Sequence, residues 1–182
     1  VMITIPWLIL ERTDSPAFAG LVVAISSLPA ILVSPIGGWM VDRIGRRSVS
    51  ISADLLSSLS VAAFPIAALT FGLSNVSILL IAIIGALFDP AGYTARKTLL
   101  ADVAKKSDSS LDHLNGIHDG IMGASWIFGP AIGAGLISTI GSVNSFWAPA
   151  ALFVIAAKIL SEIKPSFPFT FGLTFLKTTS AK

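Results

Sequence analysis

Residues 17–47 read AFAGLVVAISSLPAILVSPIGGWMVDRIGRR. From Ala17 to Val41 no side chain carries a charge, and then Asp42, Arg43, Arg46 and Arg47 follow within two turns. An α-helix needs about 20 apolar residues to cross the hydrocarbon of a bilayer, and this run is longer. Pro29 and Pro35 do not argue against a helix, because neighbouring helices in a membrane satisfy the backbone groups that proline frees. The change from no charge to a cluster of charge marks the place where a membrane helix reaches water.

The same texture repeats on both sides. Upstream, ERTDSP (11–16) forms a polar turn, preceded by the apolar run VMITIPWLIL (1–10). That run is too short to cross, and it lacks the charged start and small-residue cleavage site of a secretory signal. It reads as the last part of a membrane helix that begins earlier. Downstream, further spans are predicted at about 49–71, 76–95, 116–140 and 146–160, separated by GLSN, a long polar stretch from Arg96 to Asn115, and GSVNS. The apolar patch in the tail, 161–182, is too short to cross.

Composition supports the same reading. Hydrophobic residues make up 54% of the 182 residues and charged ones only 12%, whereas soluble domains carry about 25% charged residues. The apolar residues come in blocks, so a water-soluble fold is excluded. There is no cysteine, which excludes disulfides and thiolate metal sites. His113 and His118 have no acid at ligand spacing and read as interfacial polar residues. No nucleophile–base pair, P-loop or glycine-rich dinucleotide motif is present, so neither an enzyme nor a cofactor is expected, and no nucleic-acid partner.

Lysine and arginine fix the expected orientation. Arg43, Arg46, Arg47, Arg96, Lys97, Lys105 and Lys106, with Lys164, Lys177 and Lys182 in the tail, fall on one side of the alternating spans, and only Arg12 falls on the other. The basic loops and the C-terminus are therefore expected in the cytoplasm, with the chain a multi-pass protein of the plasma (inner) membrane.

The segment GGWMVDRIGRR (37–47) can be read physically. Gly38 is expected to let two helices approach closely, and Gly45 to permit a tight turn. Asp42 lies at the membrane edge, where a carboxylate can face the positive N-terminus of a neighbouring helix. Arg43, Arg46 and Arg47 anchor the loop. Taken whole, the segment closely resembles the motif G-x-x-x-D-R-x-G-R-R/K of the major facilitator superfamily, which lies between the second and third helices of those transporters, as it does here. The segments PWLILERTDSPAFAGLVVAISSLPAILVSPIGGWMVDRIGRR, LFDPAGYTARKTLLADV and LNGIHDGIMGASWIFGPAIGAGLI are similar to the macrolide and siderophore exporter branch, and together they cover most of the chain from Pro6 to about Leu160.

The resemblance implies an all-α membrane protein: a bundle of about six transmembrane helices, the first truncated, forming half of a twelve-helix fold. Residues 1–163 would form the bundle and 164–182 the start of a central cytoplasmic loop. The implied activity is secondary transport by alternating access, with proton-coupled efflux of a hydrophobic or amphipathic small molecule. The implied partners are the lipid bilayer, the small-molecule substrate, protons or another coupling ion, and a C-terminal six-helix half. The alternatives are an inactive truncated half or a membrane assembly subunit without transport activity and, within transport, uptake or lipid flipping.

In the fifth helix, Ser125, Gly129, Pro130 and Gly133 form a small-residue stripe, which by itself signals only close packing of helices in lipid. It also resembles the antiporter pattern G-x-x-x-G-P-x-x-G-G, with Ser125 in place of the first glycine and Ala134 in place of the last. The fragments SPIGG (34–38) and GPAIGAG (129–135) resemble one another, as the inverted repeats of this superfamily imply for the second and fifth helices. Three charges fall in or near spans. Asp54, near its helix start, and Lys158, near a helix end, read as interfacial. Asp89 lies deeper. It is either a proton carrier or, the reading favoured here, half of a pair with Arg96 or with an arginine of the 42–47 turn, since charges inside a membrane find partners.

Overall fold

The computed structural model describes residues 3–107 and 109–162, so the expected boundary between bundle and cytoplasmic loop lies outside the described residues. Six α-helices and one 3-10 turn account for nearly all of them: α1 (Thr4–Thr13), α2 (Pro16–Ile44), α3 (Arg46–Thr70), α4 (Asn75–Ser107), α5 (Leu111–Ile140), the 3-10 turn Asn144–Phe146, and α6 (Trp147–Glu162). No strand occurs among the described residues.

Local signals explain most of the boundaries. Pro16 opens α2, where its missing N–H costs nothing, and the Ser15 hydroxyl caps the helix by accepting the Phe18 N–H at 3.2 Å. Gly45 has φ +100°, ends α2 and starts α3. A side chain there would be strained, so the expected tight turn is present. Ser110 caps α5 by accepting the His113 N–H at 3.2 Å.

The polar stretch from Arg96 to Asn115 differs from its sequence reading. It was expected as a connection, yet α4 runs on to Ser107 and α5 starts at Leu111. At 33 residues, α4 is about 50 Å long, longer than a bilayer core. The polar composition of this stretch does not stop the helices, because a helix satisfies its own backbone in either solvent.

Among the described residues four helices are long and apolar enough to cross a membrane: α3, α4, α5, and α6 together with the 3-10 turn. Pro16–Leu28 of α2 is apolar but short when taken alone; the whole helix has 29 residues, about 43 Å. α1, with 10 residues, is too short to span. On α5, Trp126, Ile127, Phe128 and Ile132 are each at least 60% exposed. A water-facing surface of that kind would be a large apolar patch; facing lipid it costs nothing. The chain is an integral membrane protein.

The packing has a centre and a periphery. α3 lies between α4 and α6, α2 packs on α4, and α1 packs on α2. At the end of the bundle with the α1–α2 and α3–α4 turns, Leu8, Ile9, Val22, Phe64, Ile78 and Phe146 form the main core. Phe64 and Phe146 stack with centroids 4.4 Å apart. Ser58 donates to the Ala150 carbonyl at 2.8 Å, tying α3 to α6. At the other end Val41, Val49, Ala91 and Ala95 make a small second core. Helix α5 buries no residue.

Candidate functional site: the α2–α3 turn and the polar seam of α3 and α4

The turn at Gly45 places two consecutive arginines at the start of α3, and they reach different helices. Arg46 pairs with Asp102 of α4 at 2.7 Å and donates to the Thr98 carbonyl at 3.3 Å. Arg47 donates to the Leu160 carbonyl at 3.0 Å and also to the Ser161 carbonyl. These oxygens belong to the last turn of α6, where carbonyls lack helical partners and the dipole favours a cation. One turn of chain thus fastens the ends of α4 and α6. Arg43 lies over the Trp39 ring, 5.5 Å from its centroid. Asp42 is exposed and, among the described residues, has no ion-pair or hydrogen-bond partner, so no helix N-terminus donates to it there.

The expected close approach at Gly38 falls one residue away. A Cβ on Gly37 would come within 3.0 Å of the Ala91 Cα, whereas one on Gly38 would meet nothing within 4 Å. Successive residues on a helix point about 100° apart, so only one of the two glycines can face α4.

A second polar group lies farther along the α3–α4 contact. Arg96 pairs with Asp54, which is 3% exposed, and Ser57 donates to the Asp89 carboxylate at 3.0 Å. Asp89 and Arg96, seven residues apart, do share a helix face, but neither expected pairing of Asp89 forms. Its partner is Ser57, and Arg96 is taken by Asp54. The helices run antiparallel, and the Arg96 side chain reaches back about one turn to the level of Gly92, so three residues on α3 (Asp54 to Ser57) face three on α4 (Gly92 to Asp89) and the two contacts form two rungs of one ladder. Asp54, expected near the membrane edge, is buried between α3 and α4. Gly92 makes the ladder possible: a Cβ there would lie 3.0 Å from the Ala53 Cβ and 3.3 Å from an Arg96 guanidinium nitrogen. On its far side the Asp54–Arg96 pair borders an open groove of about 360 Å³ lined by Leu152, Phe153 and Ala156 of α6.

The α5 stripe is open. Ser125, Gly129, Pro130 and Gly133 line a groove of about 190 Å³ with Ile3 and Thr4. A Cβ at Gly129, Gly133 or Gly135 would meet nothing within 4 Å. Ser125 donates to the Ile121 carbonyl of its own helix at 2.8 Å. Sequence reasoning missed Asp102, because the polarity of Arg96–Asn115 hides the helix that carries it. It also missed Ser57 and Gly92, which carry no signal except their helical spacing from Asp54 and Arg96.

These contacts join the sequence motif to the body of the bundle, and comparison with known proteins supplies the family. The family model described as Major Facilitator Superfamily matches residues 1–167. The multidrug efflux pump Tap of Mycolicibacterium fortuitum is 39% identical over 166 residues, covering 90% of this chain and 41% of that protein. Multidrug efflux pump Tap of Mycobacterium tuberculosis (strain ATCC 25618 / H37Rv) is 36% identical, with 90% and 40% covered. The MFS-type transporter y4rN of Sinorhizobium fredii is 25% identical over 164 residues, again with 90% and 40% covered. The chain thus spans about two fifths of the length of these relatives. No solved structure matches.

Proposed function

The chain belongs to the major facilitator superfamily, and from that premise we propose that it supplies the N-terminal half of a proton-coupled exporter of hydrophobic or amphipathic small molecules. The observation that carries this reading is the double fastening at the α2–α3 turn, Arg46 to Asp102 and Arg47 to the end of α6. Alternating access requires contacts at one membrane face that hold one state and release in the other. A partly exposed ion pair such as Arg46–Asp102 suits that task, since it contributes only about 0–1 kcal/mol and breaks without unfolding the bundle. The similarity to pumps named for multidrug efflux supports export and the substrate class.

On this reading the turn lies at the cytoplasmic face, as the lysine and arginine distribution implies. Asp42, exposed at the end of α2, meets a helix N-terminus of a C-terminal six-helix half. The open stripe Ser125, Gly129, Pro130 and Gly133 is covered by that half as well. The substrate lies near the midplane between the halves.

The test uses the complete transporter in inverted membrane vesicles, with ethidium as the probe. An inside-acid pH gradient should drive ethidium into the vesicles. Asp42→Asn should lower this accumulation while leaving the amount of inserted protein unchanged. Failure of the wild-type transporter to accumulate ethidium, or any other lipophilic cation dye, would contradict the export reading. Unchanged accumulation in Asp42→Asn would remove the gating role of the turn's carboxylate.

A further inference from the structure

One cluster of titratable groups stands apart from both the α2–α3 turn and the α3–α4 ladder. It lies across the seam between α4 and α5. His118 Nδ1 is 3.0 Å from Asp119 Oδ1, and Lys97 Nζ approaches the same oxygen at 3.5 Å. The Tyr93 ring, one turn before Lys97 on α4, is tilted against the imidazole with centroids 6.3 Å apart. The His118 side chain is 20% exposed and that of Asp119 61%.

We propose that His118, Asp119 and Lys97 form the site that takes up and releases the coupling proton, with the proton carried on the His118 imidazole. The inference rests on the proton-coupled reading above and names the group responsible. The other acids along α3 and α4 are each taken up elsewhere: Asp54 is held by Arg96, Asp89 accepts from Ser57, and Asp102 belongs to the Arg46 fastening. At the α4–α5 seam one carboxylate is shared by the Lys97 ammonium and by an imidazole that becomes a second cation on protonation. With neutral imidazole, Lys97 and Asp119 balance and the cluster carries no net charge. Adding one proton to His118 gives imidazolium and a net charge of +1, and the imidazolium then competes with Lys97 for Asp119. The Lys97 contact is at the outer limit of a hydrogen bond, so it is the one that gives way.

Loss of that contact frees α5 from α4, and α5 is the helix with the fewest other attachments. It buries no residue, and its other contacts are with α1 and the 3-10 turn. Among the described residues neither of these brings a charged group to His118. The charged groups of α1, Glu11 and Arg12, lie at its far end from the Ile3 and Thr4 contact with α5. From α4 the facing groups are Lys97 and Tyr93. Histidine is suited to the exchange because an imidazole both accepts and returns a proton while keeping a hydrogen bond to a neighbouring carboxylate.

The experiment compares ethidium accumulation driven by an inside-acid gradient with ethidium flux down its own gradient, both in inverted vesicles of the complete transporter. His118→Gln should lose the gradient-driven accumulation and still carry ethidium downhill, at a rate that no longer responds to pH. Accumulation by His118→Gln equal to that of wild type would overturn this site and leave proton coupling standing. A wild-type transporter indifferent to the pH gradient would overturn proton coupling, and the site with it. If His118→Gln does not insert, Asp119→Asn and Lys97→Met decide. One removes the anion and the other the competing cation, so the pH profile of downhill flux should move in opposite directions. Two profiles that match wild type would overturn the proposal.

Discussion

Helices α2 and α5 carry similar fragments, SPIGG and GPAIGAG, and meet opposite surroundings. Gly37 in α2 is buried with the Ala91 backbone against it, while Gly129 and Gly133 in α5 face open space. A small-residue stripe permits a helix to come close; it does not say that one does. The partner decides. α4 offers Ala91, Gly92 and Ala95 to α2 and α3, whereas among the described residues only the start of α1 borders the α5 stripe. The bundle therefore has a finished side, made of α2, α3, α4 and α6, and an unfinished side along α5.

The largest expected difference between the two sides comes from the ladder. Arg96→Met leaves the Asp54 carboxylate buried without its cation. Removing one partner of a fully buried pair costs about 3–5 kcal/mol. Because the Arg96 side chain is 40% exposed, the expectation is the lower end of that range or below, about 2–3 kcal/mol. Thermal unfolding in detergent should show it, and Asp54→Leu combined with Arg96→Met should recover much of the loss. No recovery would mean that the two side chains act independently.

Close packing ranks next. Gly92→Ala or Gly37→Ala forces α4 away from a neighbour and should destabilise by about 1–3 kcal/mol. Removing the Ser58 hydroxyl, which bonds the Ala150 carbonyl, should cost about 1 kcal/mol. The smallest effect belongs to α5. Gly129→Ala and Gly133→Ala meet nothing, and alanine is the better helix former, so this chain should be unchanged or more stable by about 0.5–1 kcal/mol. A loss as large as that from Gly92→Ala would show that the α5 stripe is already packed, and would erase the distinction between the two sides. In the complete transporter the same α5 substitutions should become harmful if a second half covers the stripe.

The sequence made some of this legible and hid the rest for physical reasons. Hydropathy located the membrane helices because the solvent acts on every residue of a span. The left-handed turn at Gly45 was readable because only glycine adopts it without strain. Which face of a helix meets another helix left a weaker trace. In lipid, inward and outward faces are both apolar, so Gly37 and Gly38 could not be told apart. The burial of Asp54 left no trace near its helix start, since it depends on Arg96 arriving from α4. The α4–α5 cluster was hidden for a similar reason. His118 and Asp119 are adjacent in sequence, but Lys97 joins them only once α4 is known to continue as a helix past Arg96.

The account turns on the fastening at the α2–α3 turn. Arg46→Asp and Asp102→Arg each put like charges at two positions now joined by a 2.7 Å ion pair. Each should cut pH-driven ethidium accumulation by about tenfold, within the range of ordinary conformational couplings, with little effect on stability because the pair is partly exposed. Combining the two restores opposite charges with their positions exchanged. The account predicts that the double reversal regains a large part of the accumulation lost in either single variant. Singles that transport as wild type, or a double reversal no better than the worse single, would contradict it.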